Sequence, residues 1–491
     1  MPDYPNFYQM LDLHPDATTE EIRHAYREAA RRFHPDTRDS AMQTGLFLQL
    51  QEAYEILSNP SKRKQYDQKL QTELEASQPI SLQITHSRSQ LTLLDEPQLI
   101  YTLLELIPKE DQHVSKPPVN ICLLIDRSTS MQGERMDTVK NAAIELTRRL
   151  QPDDLLTIIA FSDRAEVMVS AGRSKDLVMI ENQIRMIRAA GGTEIFQGLD
   201  LGYAEIQRHL HKSPINHIIL LTDGRTYGDE EECLNLARRL ATEGIRITTL
   251  GIGTEWNDDF TDELAALTGG SSYYISETPD IKKFLQDKFQ SLGNISAEQV
   301  ALHWDTSTEA SLNNAYRLQP DSTELITESP LRLGSIPNSS QLSLLLEFVI
   351  SPLPEEFSRY TIATGELSLV IPTESHKRQK LPINLNRLIG DSPDSDRPPK
   401  KILQALSQIS LFRMQDRAHQ EVADGKVDEA SVRLQRLATQ LITLGENELA
   451  KAILEESEQI KQTHMFSAEG KKEIKYGTRS LILPSQAGDK Q

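Results

Sequence analysis

Five oxygen-bearing residues, spread over three separate segments, have the types and spacing to hold a hard cation. In "LLIDRSTSMQG" (123–133) an apolar run ends at Asp126, and Ser128 and Ser130 follow at alternate positions. Asp-x-Ser-x-Ser places three oxygen ligands in one tight loop. A second apolar run ends "LLTDGR", with Asp223 in the same kind of position. Between them "AAGGTEIFQGL" offers Thr193 just after Gly191-Gly192, a pair that lets the backbone turn closely. Two carboxylates and three hydroxyls form an oxygen-only set. That suits Mg²⁺, which takes six oxygens at roughly 2.0–2.1 Å and keeps several waters; Mn²⁺ fits the same donors. A second reading of the same residues stays open: Asp-x-Ser-x-Ser as the cap of a helix beginning near Arg135, and Thr-Asp-Gly as an ordinary turn. Met131 and Met136 read as packing residues, because a thioether is too soft for Mg²⁺.

A different chemistry is suggested near the N-terminus by "RRFHPDTRD" (31–39). His34-Pro35-Asp36 interrupts a helical run rich in Arg, and Pro disfavours helix at the residue before it. Alone, the tripeptide is only a turn. Around it, Thr18 and Glu21 fit a T-x-x-E capping box that opens a helix. Ile22, Tyr26, Ala29 and Phe33 then form one apolar face, and Arg23, Arg27 and Arg31 recur at i, i+4 and i+8 on another. A second helix is expected from about 41 to 57, with Phe47, Leu50, Tyr54 and Leu57 on one side. Two such helices make an antiparallel hairpin with His34-Pro35-Asp36 at its tip, beside a cationic stripe able to steer onto an acidic surface.

The elements that must position these residues follow from periodicity. Residues 1–70 read as helices only, and 71–80 as a linker. Strand-like alternation fills 81–116 and returns at 296–389. Between them, 117–290 alternates apolar strands ("VNICLLID", "LLTIIAFS", "HIILLTD", "IRITTLGIG") with amphipathic helices. Strand then helix, repeated, predicts a doubly wound, Rossmann-like α/β domain with a parallel sheet covered on both faces. Its ligands would sit beyond the carboxyl ends of the strands, where Asp126 and Asp223 fall. The flanking strand regions are expected to pair into one β-sandwich with the α/β domain inserted. "GDSPDSDRPP" (390–399) reads as a loop. Residues 400–463 predict a bundle of three helices, broken at "DGK" (424–426) and "GEN" (445–447). The tail, 464–491, shows little periodicity; its "EGKKEIKYGTRSLIL" could dock on its own domain or on a partner.

Two of these regions resemble known families. "FYQMLDLHPDATTEEIRHAYREAARRFHPD" and "FLQLQEAYEILSNPSKRKQYD", residues 4–69, resemble the J domain of DnaJ-type co-chaperones. The resemblance implies an all-α helical hairpin that recruits a DnaK-type chaperone and stimulates its ATPase. His34, Pro35 and Asp36 would be the essential loop residues, and Arg23, Arg27 and Arg31 the contacts. No Gly/Phe-rich segment and no zinc-binding Cys cluster follows, so the substrate handling of the best-known J proteins is not implied. Residues 117–290 resemble the von Willebrand factor A domain with its metal-ion-dependent adhesion site. That resemblance implies metal binding by Asp126, Ser128, Ser130, Thr193 and Asp223, with the Asp residues often acting through water and an acidic residue of a protein partner completing the coordination.

Composition bounds the rest. The chain has 491 residues and a formal net charge of −19, which argues against generic nucleic-acid binding, because that needs a basic face. No apolar run approaches the ~20 residues that span a bilayer. The N-terminus "MPDYPNFYQML" lacks the pattern of a signal peptide. The only cysteines, Cys122 and Cys233, lie in apolar strand-like and helix-like runs and read as buried thiols rather than a disulfide framework. These features suggest a cytoplasmic protein. No phosphate loop, nucleophile elbow or H-E-x-x-H cluster is present, so no catalytic residue is expected; "GIGTEW" (251–256) reads as a turn after a strand. The expectation is a J-type co-chaperone whose metal-dependent A domain binds a protein client. The alternative is a metal-dependent scaffold whose J domain is only a docking module.

Overall fold

The computed structural model describes residues 7–11, 13, 17–32, 41–67, 79–109, 116–171, 176–213, 215–226, 228–353, 358–372, 378–390 and 397–481. The chain divides into two units, 1–81 and 82–491.

The first unit is helical. Its elements are α1 (Phe7–Met10), α2 (Thr19–Arg32), α3 (Ala41–Leu57) and a segment α4 over 60–67. The capping box forms: the Thr18 N–H donates to Glu21 Oε2 at 2.6 Å, and the Glu21 N–H to Thr18 Oγ1 at 3.3 Å. Ile22, Leu50 and Leu57 are buried, with Tyr8, Leu11, Ala17 and Ala53, in one core. Tyr26 stacks on Tyr54 with ring centroids 4.3 Å apart. α2 and α3 therefore pack through the faces the spacing indicated. The side chains of Phe33 and Phe47 lie outside the described residues.

The second unit is built on three sheets. The strands before the α/β domain are β1 (Ile80–His86), β2 (Gln90–Thr92) and β3 (Gln98–Pro108). The α/β domain contributes β4 (Val119–Asp126), β5 (Leu155–Phe161), β6 (Ala165–Val169), β7 (Ile215–Thr222), β8 (Ile245–Ile252) and β9 (Ser272–Ile275). After it come β10 (Ile295–Thr306), β11 (Ala310–Gln319), β12 (Thr323–Glu324), β13 (Leu331–Pro337), β14 (Leu342–Ile350), β15 (Arg359–Val370) and β16 (Arg378–Gly390). The central sheet has the order β6-β5-β4-β7-β8-β9. It is parallel except for β6, which runs antiparallel to β5. The sequence reading missed β6 and β9, which are short, half-buried edge strands without a continuous apolar run. β4 and β7 are buried along their whole length, as a two-sided parallel sheet requires.

Helices cover both faces of this sheet. α5 (Glu134–Arg149), α6 (Leu177–Arg185) and α10 (Thr278–Leu292) close one core, in which Met131 and Met136 are packed. α7 (Ile195–Gln207), α8 (Glu230–Thr242) and α9 (Asp258–Ala266) close the other, which contains Cys122 and Cys233 as free, buried thiols.

The outer strands make two five-stranded sheets, β1-β3-β14-β11-β12 and β13-β10-β15-β16-β2. Strands from before and after the α/β domain pair directly: β3 with β14 antiparallel, and β2 with β16 parallel. The α/β domain is thus inserted in the sandwich. Buried Arg317 ties the two together, donating to the carbonyls of Gly269, Gly270 and Leu333 at 2.8–2.9 Å.

The C-terminal region corrects one expectation. α11 (Lys400–Ala423), α12 (Val427–Leu444) and α13 (Asn447–Thr463) are joined by a fourth helix, α14 (Ala468–Ser480), in the segment read as an aperiodic tail. α14 buries Lys472, Lys475 and Thr478 beside Ile474 and Tyr476, so its inward face carries charge and shows no apolar stripe. Those charges meet acids at the start of α9: Lys475 Nζ lies 2.6 Å from Asp258 and 3.0 Å from Asp262, and Arg479 lies 2.7 Å from Asp262. α14 docks on its own chain. Among the described residues no helix is long and apolar enough to cross a membrane.

Candidate metal centre and chaperone face

β4 and β7 are parallel neighbours with Ile125 opposite Leu221. Both therefore end at the same edge of the sheet, and Asp126 and Asp223 emerge there side by side. Both carboxylates are buried. Asp126 is held from two directions: the Ser128 N–H donates to Oδ1 and the Thr222 hydroxyl to Oδ2, each at 2.7 Å. Burial pushes its carboxyl up to about 6, although these bonds act to lower it; nearby Asp223 raises it further. A buried carboxylate in that state gains from a cation beside it.

Asp223 gathers the hydroxyls. Ser130 Oγ donates to Asp223 Oδ1 at 2.7 Å, Ser128 Oγ approaches the same oxygen at 3.4 Å, and the two hydroxyls stand 3.1 Å apart. Adjacent oxygens around an octahedral ion with bonds of 2.0–2.1 Å stand about 2.9 Å apart, close to the 3.1 Å between the two hydroxyls. Each hydroxyl spends its proton inside the cluster and leaves oxygen lone pairs for a cation.

The third segment is brought in by a turn. Gly191 adopts φ +87°, and its carbonyl accepts from both the N–H and the hydroxyl of Thr129 at 3.1 Å. The turn carries Thr193 to the residue after Asp223: a Cβ on Gly224 would lie 2.8 Å from Thr193 Oγ1. All five residues singled out from the sequence therefore meet at one sheet edge. The set holds two carboxylates, and among the described residues no three His, Cys, Asp or Glu side chains cluster as metal ligands. A metal here would depend on hydroxyls and water for most of its coordination.

Two residues of the site were not singled out from sequence. Thr222 fixes Asp126, yet within "LLTDGR" it reads as one more strand residue. Arg135 Nη1 lies 2.8 Å from Asp223 Oδ2. The available signal was its position: a cation in the first turn of a helix, where acids are favoured.

In the first unit, Arg23, Arg27 and Arg31 are exposed on α2, opposite buried Ile22. Arg27 Nε donates to the Arg23 carbonyl at 3.2 Å, so part of the stripe is held against its own helix. His34, Pro35 and Asp36 lie outside the described residues.

Comparison with known proteins agrees with this division. Residues 6–67 match the DnaJ domain, residues 120–297 the von Willebrand factor type A domain, and residues 400–484 the Sll0103-like C-terminal alpha-helical domain. An uncharacterized protein of Synechocystis sp., sll0103, is 32% identical over 254 residues, covering 50% of this chain and 60% of that one. The chaperone protein DnaJ of Dictyoglomus thermophilum is 43% identical over 68 residues, 14% of this chain and 17% of that one. The bovine inter-alpha-trypsin inhibitor heavy chain H4 is 27% identical over 231 residues, 45% of this chain and 25% of that one. The chain thus spans less than two thirds of the length of each. A solved von Willebrand factor type A protein of Catenulispora acidiphila superposes with a TM-score of 0.65 at 16% identity, over 82% of this chain and 96% of that one. The ArnB paralog VWA2 of Sulfolobus acidocaldarius gives 0.52 at 17% identity, over 82% and 99%. These two share the fold. The chain carries a J domain, a von Willebrand factor A domain and a C-terminal helical domain.

Proposed function

We propose that this protein is a J-type co-chaperone that recruits a DnaK-type chaperone, stimulates its ATPase, and directs it to a protein client held by the A domain. The observation that carries the proposal is the joining, in one chain, of a J domain with exposed Arg23, Arg27 and Arg31 to an A domain whose Asp126, Ser128, Ser130, Thr193 and Asp223 converge. The proposal assigns the chain no catalysis of its own and no nucleic-acid partner, and it places the protein in the cytoplasm with its chaperone.

Each part has a physical task. The arginine stripe attracts an acidic chaperone surface, with His34, Pro35 and Asp36 as the loop that engages it. In the A domain, Ser128, Ser130 and Thr193 would hold Mg²⁺ or Mn²⁺ through neutral oxygens, while Asp126 and Asp223 supply the charge from behind. When bound, the ion offers a remaining coordination position to a carboxylate of the client. Because the groups in direct contact would be neutral hydroxyls, the ion would stay electrophilic toward that carboxylate.

Single-turnover ATP hydrolysis by a DnaK-type chaperone tests the reading, using the full chain, His34→Gln and Asp126→Ala. Stimulation by the full chain, lost with His34→Gln and kept with Asp126→Ala, is the expected result. Absent stimulation by the full chain would overturn it in favour of a metal-dependent scaffold with a docking J domain.

A further inference from the structure

We infer that Arg135 is a resident counter-cation at the candidate metal centre, which competes with the divalent ion for Asp223 and so sets how tightly the site binds it. The inference rests on the metal reading above.

Asp223 needs a positive partner whether or not an ion is present. Its side chain is 0% exposed, and an unpaired buried carboxylate is strongly unfavourable. The Ser128 and Ser130 hydroxyls approach Oδ1, and the Arg135 guanidinium takes Oδ2 at 2.8 Å. The carboxylate is thereby satisfied by the chain itself.

Local structure gives no other reason for an arginine there. Arg135 is the second residue of α5, after the N-cap Gly133, and its neighbours in the first turn are Glu134 and Asp137. The positive end of the helix dipole favours those acids and disfavours a cation. Pairing with Asp223 offsets that cost. The side chain also has a way out: it is 39% exposed, and its guanidinium passes over Gly253, where a Cβ would stand 2.9 Å from Nη2.

An ion seated on the hydroxyls would share the charge of Asp223 with the guanidinium, and the two cations would repel. At separations of a few ångströms, even with substantial screening, that repulsion lowers ion affinity by about tenfold or more. The same guanidinium, once displaced, is free to pair with the incoming client carboxylate, so ion and client would bind with mutual reinforcement.

The test is Mn²⁺ binding to the full chain, followed by the paramagnetic resonance of free Mn²⁺, for the unmodified protein, Arg135→Gln, Arg135→Lys and Asp223→Asn, with folding checked by circular dichroism. Arg135→Gln is expected to bind Mn²⁺ about tenfold more tightly, Arg135→Lys to stay near the unmodified protein because it keeps the charge, and Asp223→Asn to lose binding. Equal or weaker binding by a folded Arg135→Gln, with the unmodified protein binding measurably, overturns the inference alone and leaves Arg135 as an orienting residue for Asp223. No binding by any of the folded proteins overturns the metal reading and the inference with it.

Discussion

Lys475 Nζ lies 2.6 Å from Asp258 Oδ2, and both side chains are less than a tenth exposed, although 217 residues separate them. This contact fastens the C-terminal helix to the A domain. Lys475 also reaches Asp259 and Asp262, at 2.8 and 3.0 Å. Lys472 donates to the carbonyls of Thr254 and Trp256, at 2.8 and 2.6 Å, in the loop that passes under Arg135. Removing one member of a buried charge cluster leaves the others uncompensated, at a cost of about 3–5 kcal/mol. Lys475→Ala is therefore expected to lower the urea midpoint of the 82–491 unit markedly, whereas Lys451→Ala, which alters an exposed i,i+4 pair, leaves it nearly unchanged.

Two groups near the same interface, Asp262 and His419, each give stability a pH dependence with a definite sign. Burial would raise the Asp262 carboxyl, but Arg479 and Lys475 outweigh it and hold it at about 2, below its ordinary 3.8. Its contribution is present above pH 3.8 and is lost as pH falls toward 2. Burial, helped by Lys471 and Lys475, lowers His419 from 6.5 to about 4. The unfolded chain binds that proton first, so stability falls as pH drops from 6.5 to 4. Both effects run the same way; Asp416, which burial pushes up to about 6, opposes them, because there the folded chain binds the proton first. His419→Leu removes the His419 part of this dependence, so the denaturant midpoint of the variant relative to the unmodified protein should rise as pH is lowered from 6.5 to 4.

Gly224 makes room for the Thr193 hydroxyl, and its own φ lies outside the left-handed region, so alanine meets no backbone strain there. Gly224→Ala should push Thr193 out of the cluster and weaken Mn²⁺ binding by about tenfold, an effect of about 1.4 kcal/mol, with the circular dichroism spectrum unchanged. Isothermal titration of the folded variant checks this; unaltered affinity would remove Thr193 from the ligand set.

The arginine stripe is exposed and should act through long-range attraction. Arg23→Glu with Arg27→Glu is expected to reduce chaperone stimulation at least about tenfold at low salt. Raising salt toward 1 M, where charges are screened within about 3 Å, should narrow the gap between variant and unmodified protein. A gap that does not depend on salt would assign these residues a purely structural part in α2.

What the sequence determined by itself was local or periodic. Thr18 and Glu21 announce a helix start because a capping box closes within four residues. The apolar runs ending at Asp126 and Asp223 announce two buried parallel strands, and strand polarity alone brings their ends to one edge. The segments on either side of the α/β region alternate like strands, which made an inserted domain legible before the pairing of β3 with β14 was seen. Tertiary structure alone decided the rest. α14 escaped notice because much of its inward face is Lys472, Lys475 and Arg479, residues that periodicity assigns to water. Lys475 and Arg479 are held in because Asp258, Asp259 and Asp262, more than 200 residues earlier, meet them, and Lys472 because the carbonyls of Thr254 and Trp256 do. Arg135 is the same case at the metal centre: a surface-type residue in sequence, placed over a buried carboxylate by the packing of α5 against β7 and the loop after β8. Burial of apolar groups leaves a period in the chain, whereas the pairing of distant charges leaves none.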